Sequence, residues 1–236
     1  MRVLRFELSG KTAFFKNPEV NSYFYFTFGQ IHKPALLGIF GAVMGYQGYG
    51  AEYEDFPEYY KILKDIRVSI VPKSPYNNGY FAKKIQSFNN SVGYASQEQG
   101  GNLIVKEQWI ENPAWDIYFV VENELTKELA ERILQNRCVY IPYLGKNDHP
   151  AVLKKASFLE LEEASAIEER IHSLIPSYMA QYNWEEAWFK YEEYLPVSLK
   201  ESTNHYELQK FYYTDAVVEE IDGNVLKDGE RFIVFY

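Results

Sequence analysis

Two side chains that can contact phosphate stand directly before a residue that can open a helix. His32 and Lys33 precede Pro34, whose fixed φ and missing amide hydrogen suit the first turn of a helix. The free amides of a helix start, with the positive end of the macrodipole, attract phosphate groups. We interpret His32 and Lys33 as candidate contacts to an RNA backbone. A surface lysine beside a histidine that is hydrogen-bonded in a turn is the alternative interpretation.

The same residues could cleave RNA without a metal. Acid–base cleavage needs a histidine or tyrosine to move the proton of a 2′-hydroxyl and a lysine to stabilise the charge that develops on phosphate. His32, Lys33 and Tyr46 could form such a set. Other chemistries lack their motifs, since Gly10-Lys11-Thr12 has no P-loop glycine at the required spacing and the four histidines are too scattered for zinc. We expect no cofactor and no metal.

A polar, glycine-rich and basic stretch covers about residues 73–104. A long insert of this kind in a compact domain is usually functional or disordered. Basic residues alternate here with an aromatic ring, a pattern typical of surfaces that bind single-stranded RNA. The candidate RNA contacts are Lys83, Lys84, Gln86, Phe88 and Asn89. A projecting β-hairpin or a plain mobile loop would both fit this composition.

The residues after Pro34 predict a buried helix over 35–44, because apolar side chains surround the whole helical wheel. Gly38, Gly41 and Gly45 lie on one side of that helix, and each costs roughly 1 kcal/mol of helix propensity relative to alanine. A bare face indicates that another backbone approaches closely. A sheet, a second chain and a nucleic-acid strand all remain possible neighbours.

Further predicted strands and a second helix follow along the chain. Apolar patterns predict strands at 66–71 and 116–121, and Thr126 could cap a helix over 127–136. Residues 137–141 would form another strand and bury Cys138. Residues 1–8 alternate between apolar and polar side chains and predict an amino-terminal strand. With that strand and the helix after Pro34, the order is strand, helix, strand, strand, helix, strand, which matches a ferredoxin-like fold.

The rest of the chain alternates acidic and apolar residues and contains Asp222-Gly223 and Asp228-Gly229, which predict hairpin turns. We therefore predict an α+β protein with a ferredoxin-like core over 1–155. A projecting hairpin or loop would occupy about 73–104. An antiparallel β-rich appendage over 156–236 would pack on the core.

Composition limits the class of protein. The 236 residues include one cysteine, which excludes an internal disulfide and indicates a reducing compartment. The longest apolar run, near 34–46, falls short of the roughly 20 residues that a membrane-spanning helix needs. The amino terminus is too short and too charged for a signal peptide. We expect a soluble cytoplasmic protein that does not bind membranes.

Charge is distributed unevenly within a net charge of -9. Residues 1–110 carry 12 Lys and Arg against 9 Asp and Glu, whereas residues 111–236 carry 12 against 24. The amino-terminal half can therefore face phosphate, while the acidic half faces solvent or basic partners. The acidic runs could equally be solvated faces with no partner.

Several segments together resemble the CRISPR-associated Cas-five family, of the RAMP superfamily, and most closely its type I-B branch. The resemblance covers most of the chain in order, and His-Lys-Pro-Ala-Leu-Leu-Gly at 32–38 is its most specific part. The other segments are Gly10-Lys11-Thr12-Ala13-Phe14-Phe15, Pro142-Tyr143-Leu144-Gly145-Lys146, Leu195-Pro196 and Phe211-Tyr212-Tyr213-Thr214.

This resemblance implies a non-catalytic subunit of a Cascade surveillance complex in antiviral defence. Such a subunit grips the 5′ handle of the CRISPR RNA, caps the backbone of Cas-seven subunits beside the large Cas-eight subunit, and meets target DNA only through the complex. The handle would lie near the glycine-rich helix start. The resemblance also implies a ferredoxin-like (RRM-like) core with a projecting β-hairpin thumb, which maps onto the insert at about 73–104. The predicted RNA-binding residues are Lys11, Thr12, Phe14, His32, Lys33, Ala35, Leu36 and Tyr46, with Lys83, Lys84, Phe88 and Asn89 on the thumb.

The type I-C branch of the family implies an alternative, because its Cas-five protein cuts precursor CRISPR RNA with a tyrosine, a lysine and a histidine. This chain lacks the lysine-histidine pair expected in its middle, since residues 100–125 contain Lys106 but no histidine. In type I-B relatives a separate Cas-six protein does the cutting. A metal-independent endoribonuclease is therefore the alternative function, and a purely structural partner-binding protein is a third.

Overall fold

The computed structural model describes residues 1–19, 24–50, 56–89, 93, 97, 99 and 104–236. Strands dominate this part of the chain, and its three helices are short. The helices are α1 (Lys33–Met44), α2 (Glu58–Leu63) and α3 (Glu124–Leu134). The strands are β1 (Arg2–Ser9), β2 (Thr12–Ala13), β3 (Phe24–Tyr25), β4 (Val68–Pro72), β5 (Lys83–Asn89), β6 (Ile104–Glu111), β7 (Ala114–Val120), β8 (Val152–Glu160), β9 (Glu162–Glu163), β10 (Ile175–Pro176), β11 (Ala180–Asn183), β12 (Lys190–Leu199), β13 (Tyr206–Thr214), β14 (Val217–Ile221), β15 (Val225–Asp228) and β16 (Arg231–Val234).

A four-stranded sheet with the order β4-β7-β1-β8 forms the centre of the molecule. Each neighbouring pair is antiparallel, with Phe6 opposite Ile117 in the middle of the β1–β7 ladder. Helix α1 lies between β1 and β4 in the chain, and α3 lies between β7 and β8. The predicted strands at 66–71 and 116–121 correspond to β4 and β7, within two residues at each end.

The two faces of this sheet have different covers. On one face Leu4, Phe6 and Leu8 of β1 share a core cluster with residues of α1 and α3. On the other face Val3 and Tyr118 pack with Leu226 and Ile233 of the β15–β16 hairpin. Successive side chains of a strand point to opposite faces, so β1 supplies both cores.

Helix α1 confirms the predicted buried helix, although it begins at Lys33 rather than Ala35. Its bare glycine face has an explanation within the chain. A Cβ added to Gly41 would lie 2.6 Å from the Cβ of Tyr59 on α2, so this glycine permits close helix packing. The same addition at Gly38 would meet nothing nearer than Tyr59 Cε2 at 4.0 Å.

The strand predicted over 137–141 is wrong. The backbone amides of Val139 and Tyr140 donate to the carbonyls of Val43 and Ala42 at distances of 3.3 and 2.9 Å. These carbonyls belong to the last turn of α1, where a helix leaves acceptors unsatisfied. Because the segment caps a helix, the fourth strand of the sheet comes later, at β8, and Cys138 is exposed rather than buried.

The predicted cap of the third helix is also wrong. Asn123 is the N-cap of α3, and its side chain accepts from the amide of Thr126 at 2.9 Å. The hydroxyl of Thr126 in turn accepts from the amide of Asn123 at 3.2 Å. The N-cap thus lies one turn before Thr126, and Thr126 contributes to a reciprocal capping box from inside the first turn of the helix.

The insert at 73–104 divides into two parts. Residues 73–82 pack on the body, where Gln30 Nε2 donates to the carbonyl of Gly79 and the Tyr213 hydroxyl donates to Asn77 Oδ1. Strands β5 and β6 then form an antiparallel pair from Lys83 opposite Ile110 to Asn89 opposite Ile104. Among the residues between these strands, the structure describes 93, 97 and 99, so most of the predicted loop tip lies outside the described residues.

The carboxy-terminal part is antiparallel and strand-rich. The turn at Asp228-Gly229 joins β15 to β16 as predicted. The hairpin predicted at Asp222-Gly223 is wrong, because β14 pairs with β11 while β15 pairs with β9 and β16. Strand β8 runs through 155–156, where the sequence places the start of the appendage. In the part of the chain that the structure describes, no helix has the length and apolar character to cross a membrane.

Candidate nucleic-acid interface

A cleft of about 420 Å³ opens beside the first half of α1, and we call it the helix-start cleft. Its floor includes Ala35, Gly38 and Ile39 of α1. Tyrosine is the most frequent residue in its remaining wall. The tyrosines that line the cleft are Tyr46, Tyr49, Tyr59, Tyr140, Tyr143 and Tyr206.

Three of these tyrosines leave much of their rings exposed. Tyr49 is 56% exposed, Tyr140 49% and Tyr143 48%. Exposed aromatic rings on a concave surface can stack on unpaired bases, at about 1–3 kcal/mol per base. Lys16 also lines the cleft, and its ammonium group lies 4.3 Å from the ring centre of Tyr25. The cleft thus offers stacking surfaces beside a cation.

A loop at 142–150 holds one wall of the cleft. The amide of Phe14 donates to the carbonyl of Leu144 at 3.1 Å, and the amide of Leu144 donates to the carbonyl of His149 at 2.8 Å. Gly145 has a φ of 87°, and a Cβ there would overlap the Phe14 carbonyl. The segment Pro142-Tyr143-Leu144-Gly145-Lys146 can therefore approach β2 closely, which places Tyr143 at the cleft.

His32 is the N-cap of α1, and its Nδ1 accepts from the amide of Ala35 at 3.3 Å. The side chain is 2% exposed and makes edge contacts with Phe15, Phe28 and Tyr206. Burial lowers the pKa of His32 to about 3, so the imidazole is neutral at physiological pH. The residue thus shapes the inner wall of the cleft and uses one ring nitrogen to cap the helix.

Lys33 has a partner within the chain. Its ammonium group donates to the backbone carbonyl of Tyr236 at 3.2 Å, and burial lowers the pKa of Lys33. Tyr236 packs in turn against Phe211. The structure therefore places the lysine at the carboxy terminus, while His32 and Tyr46 line the helix-start cleft.

The remaining residues predicted near the helix start lie in different surroundings. Phe14 and Leu36 are buried, so their side chains pack inside the protein and do not form part of its surface. Lys11 is exposed in the turn between β1 and β2, where its carbonyl accepts from the amide of Asn112. Ala35 lines the cleft.

A second group of rings and cations lies along the β5–β6 pair, from Lys84 opposite Trp109 to Phe88 opposite Val105, and we call it the hairpin root. Lys84 Nζ lies 5.5 Å from the ring centre of Trp109, and Lys146 Nζ lies 5.1 Å from that of Phe88. Cations above aromatic faces are worth roughly 0.5–1 kcal/mol at exposed sites. The same pairing of rings and positive charge is what single-stranded nucleic acids require.

His149 links the hairpin root to Thr12. The Thr12 hydroxyl and His149 Nδ1 lie 2.6 Å apart, and the imidazole packs edge-on against Trp109 at 4.6 Å. Its Nε2 is buried and has no hydrogen-bond partner in the structure. Burial lowers the pKa of His149. Thr12 therefore supports Trp109 through a neutral imidazole.

Two carboxylates, those of Glu107 and Asp148, pair with Lys146 of the hairpin root. Burial opposes the charge of Lys146, but hydrogen bonds to Glu107 and Asp148 raise its pKa. Loop 142–150 thus supplies Tyr143 and Gly145 to the helix-start cleft and Lys146 to the hairpin root. Lys83 and Asn89 lie at opposite ends of β5 on its exposed side. Among the described residues, no group of three His, Cys, Asp or Glu could hold a metal ion.

Several residues of this interface were missed in the sequence. Tyr140 looked like part of a strand, because its hydrogen bond to α1 joins residues about 100 apart. Tyr143 followed that segment and reaches the cleft through the close approach of loop 142–150 to Phe14. Trp109 and Lys146 meet Lys84 and Phe88 only after β5 pairs with β6. Lys16 was the detectable case, since it directly follows the aromatic pair Phe14-Phe15.

Three solved structures have folds similar to that of this chain. A chain of a "CRISPR RNA-guided surveillance complex" aligns with a TM-score of 0.55 and 10% identity, over 92% of this chain and 91% of that chain. A "CRISPR protein from Archaeoglobus fulgidus" aligns with a TM-score of 0.53 and 10% identity, over 100% of this chain and 98% of that chain. A chain of the "Type III-B Cmr-beta bound to cognate target RNA and AMPPnP" aligns with a TM-score of 0.51 and 9% identity, over 98% of this chain and 98% of that chain.

This chain has the fold of CRISPR-associated proteins. The alignments extend over nearly the whole length of both partners, so the shared fold includes the strand-rich carboxy-terminal part as well as the central sheet. No protein-family model matches the chain, and no curated protein matches it in sequence. At identities near 10%, the likeness concerns the fold alone.

Proposed function

We propose that this chain is a non-catalytic, RNA-binding subunit of a CRISPR RNA-guided surveillance complex in the cytoplasm. The observation that carries the proposal is the helix-start cleft, whose exposed tyrosines suit splayed bases of a single strand. The bound segment is the 5′ handle of the CRISPR RNA. The type I-B resemblance in the sequence adds the partners, namely Cas-seven backbone subunits and the large Cas-eight subunit.

The central sheet supports the ferredoxin-like part of the proposal. In chain order its strands are β1, β4, β7 and β8, with α1 after the first and α3 after the third. The spatial order β4-β7-β1-β8 with antiparallel neighbours is the arrangement expected of a ferredoxin-like core. We assign β5 and β6 to the thumb, with the hairpin root as its RNA-facing surface.

A non-catalytic role agrees with the surroundings of His32, Lys33 and Tyr46. An imidazole with a pKa near 3 is a weak base, and efficient proton transfer favours a pKa near the working pH. The ammonium group of Lys33 is bound to the Tyr236 carbonyl. Burial raises the pKa of Tyr46 above its usual value, which disfavours the phenolate.

Binding of CRISPR repeat RNA tests the proposal. We expect Tyr140→Ala/Tyr143→Ala to weaken binding at least tenfold, because each lost base stack costs about 1–3 kcal/mol. Tyr76→Ala/Tyr178→Ala removes two exposed tyrosines elsewhere and is the matched control. The measurement is a titration of labelled repeat RNA in EDTA, read on native and denaturing gels together.

The two gels separate the alternatives. Intact RNA with weakened binding in the cleft variant alone supports the RNA-binding subunit. Equal affinities for the cleft variant and its control would contradict a role of the cleft. A discrete cut within the repeat, abolished by His32→Ala, would replace the proposal with the endoribonuclease.

A further inference from the structure

A second charged site lies on the face of the central sheet that is opposite α1. Glu7 of β1 is buried there and pairs with three lysines at once. Its carboxylate lies 2.6 Å from Lys73 Nζ, 3.0 Å from Lys154 Nζ and 3.1 Å from Lys155 Nζ. These residues, together with Asp116 and Arg231, form what we call the sheet-face cluster.

A strained backbone brings two of the lysines to the same carboxylate. Residues 154 and 155 are consecutive in β8, and consecutive side chains of a regular strand point to opposite faces. The β1–β8 register shifts between Arg5 and Glu7, so that Lys155 and Ala156 both lie opposite Phe6. Lys155 has a φ of 56°, a left-handed conformation that a lysine adopts rarely. Bulges of this type redirect side chains near functional sites.

The cluster holds more positive than negative charge. Asp116 is buried and pairs with Arg231 at 2.8 Å and with Lys73 at 3.5 Å. Four cations thus serve two carboxylates, since Glu7 and Asp116 share Lys73. Hydrogen bonds from Lys73, opposed by burial, lower the pKa of Glu7 to about 2, so it remains ionised. The nearby Arg5–Asp228 pair is balanced. An excess of two positive charges remains at the protein surface.

A concave surface accompanies this excess charge. A cavity of about 350 Å³ opens at the cluster, and both Lys73 and Arg231 line it. Ser74, Asn77, His172 and Tyr213 supply neutral polar groups to the same wall. Lys154 and Lys155 are about half and two-thirds exposed, so their ammonium groups can turn toward a ligand. Lys73 and Arg231 bring positive charge to the cavity, and Glu7 links Lys73 to Lys154 and Lys155 at its side of the sheet. Positive charge beside polar groups favours a phosphate over an apolar ligand.

We propose that the sheet-face cluster binds a phosphodiester of a single nucleic-acid strand, at a site separate from the helix-start cleft. Lys154, Lys155 and Arg231 supply the phosphate contacts, and Lys73 remains with the two buried carboxylates. The two sites lie on opposite faces of the sheet, because α1 packs on the Leu4-Phe6-Leu8 side and Glu7 points to the other. The site goes beyond the handle-binding cleft and is tested independently of it.

Salt dependence of binding tests the site. The variant Lys154→Gln/Lys155→Gln removes two cations but leaves Lys73 to pair with Glu7, so the fold is retained. Lys127→Gln/Lys200→Gln removes two exposed lysines elsewhere and is the matched control. Fluorescence anisotropy with labelled oligouridylate and with labelled oligothymidylate gives the affinity at several salt concentrations. Melting temperatures verify that both variants fold.

We expect the cluster variant to flatten the plot of log affinity against log salt by about 1.4 in slope, from two lost single-strand phosphate contacts. The control variant should follow the wild type. Losses with both probes identify a general phosphate site, whereas a loss confined to one probe assigns the site to RNA or to DNA. Slopes equal to the control, or no binding of either probe by the wild type at low salt, would overturn the proposal.

The cleft and the cluster can fail separately. In a Tyr140→Ala/Tyr143→Ala background, the Lys154→Gln/Lys155→Gln change should reduce the salt slope by the same amount as in the wild type. If the cleft variant binds normally while the cluster variant does not, the handle site is wrong and the sheet-face site stands. A cluster effect that disappears in the cleft background would overturn a separate site.

Discussion

At the scale of the residue, His32 combines a helix cap with a buried aromatic contact. The imidazole is neutral in the folded protein, because burial lowers its pKa from an ordinary value of 6.5 to about 3. The neutral form leaves Nδ1 able to accept the amide of Ala35. A protonated imidazole could not accept this hydrogen bond, so acidification should oppose folding at this residue.

The free energy of unfolding should therefore depend on pH through His32. Between pH 6.5 and about 3 the unfolded chain binds a proton that the folded protein does not, so stability falls as pH falls, by up to about 1.4 kcal/mol per pH unit. His32→Asn keeps a good N-cap side chain without this titration. Denaturant unfolding from pH 7 to 4 should give a steeper loss for the wild type. Parallel curves for the two proteins would contradict a neutral, buried His32.

At the scale of the element, α1 shows which part of a helix the sequence can predict. Pro34 and the apolar run determine its position through local preferences, and both ends agree to within two residues. The neighbour of its glycine face was not predictable, because Tyr59 reaches Gly41 only through the packing of α2. The same limit produced the wrong strand at 137–141, whose amides bind α1 across a long chain separation.

Two glycines of α1 should respond in opposite ways to the same substitution. Gly41→Ala forces a methyl group against Tyr59, and such overpacking costs about 1–3 kcal/mol, more than the gain of up to about 1 kcal/mol in helix propensity. Gly38→Ala has room for its methyl group and should stabilise the protein by up to about 1 kcal/mol. Urea unfolding of both variants measures the difference. A shift of the same sign in both would show that α2 does not hold Gly41 closely.

The strand elements show a comparable division. The alternating pattern of β1 and the buried runs of β4 and β7 were readable, and so was the Asp228-Gly229 turn. The β8 bulge was not, because Lys154-Lys155 looks like an ordinary exposed pair until Glu7 lies beneath it. Candidate site residues separated for the same reason, since Leu36 and Phe14 entered the core while Ala35 and Tyr46 reached the cleft.

At the scale of the whole molecule, a net charge of -9 opposes free nucleic acid binding. In the proposed RNA-bound state, stacking surfaces in the cleft and local excesses of cations would offset this unfavourable overall field. Other subunits of a complex would share the phosphate charge, and the RNA would meet this chain in an already positioned strand. Affinity of the isolated chain should accordingly be weaker than its affinity within the assembly.

The most direct measurement is ultraviolet cross-linking of CRISPR RNA in the reconstituted complex, with the cross-linked peptides identified by mass spectrometry. Bases stacked on exposed rings lie within the short reach of a zero-length cross-link. The account predicts cross-links from the 5′ handle to Tyr140, Tyr143 or Tyr49, and their loss when the handle is deleted. Handle cross-links confined to surfaces outside the helix-start cleft, or no handle cross-link to this chain, would contradict it.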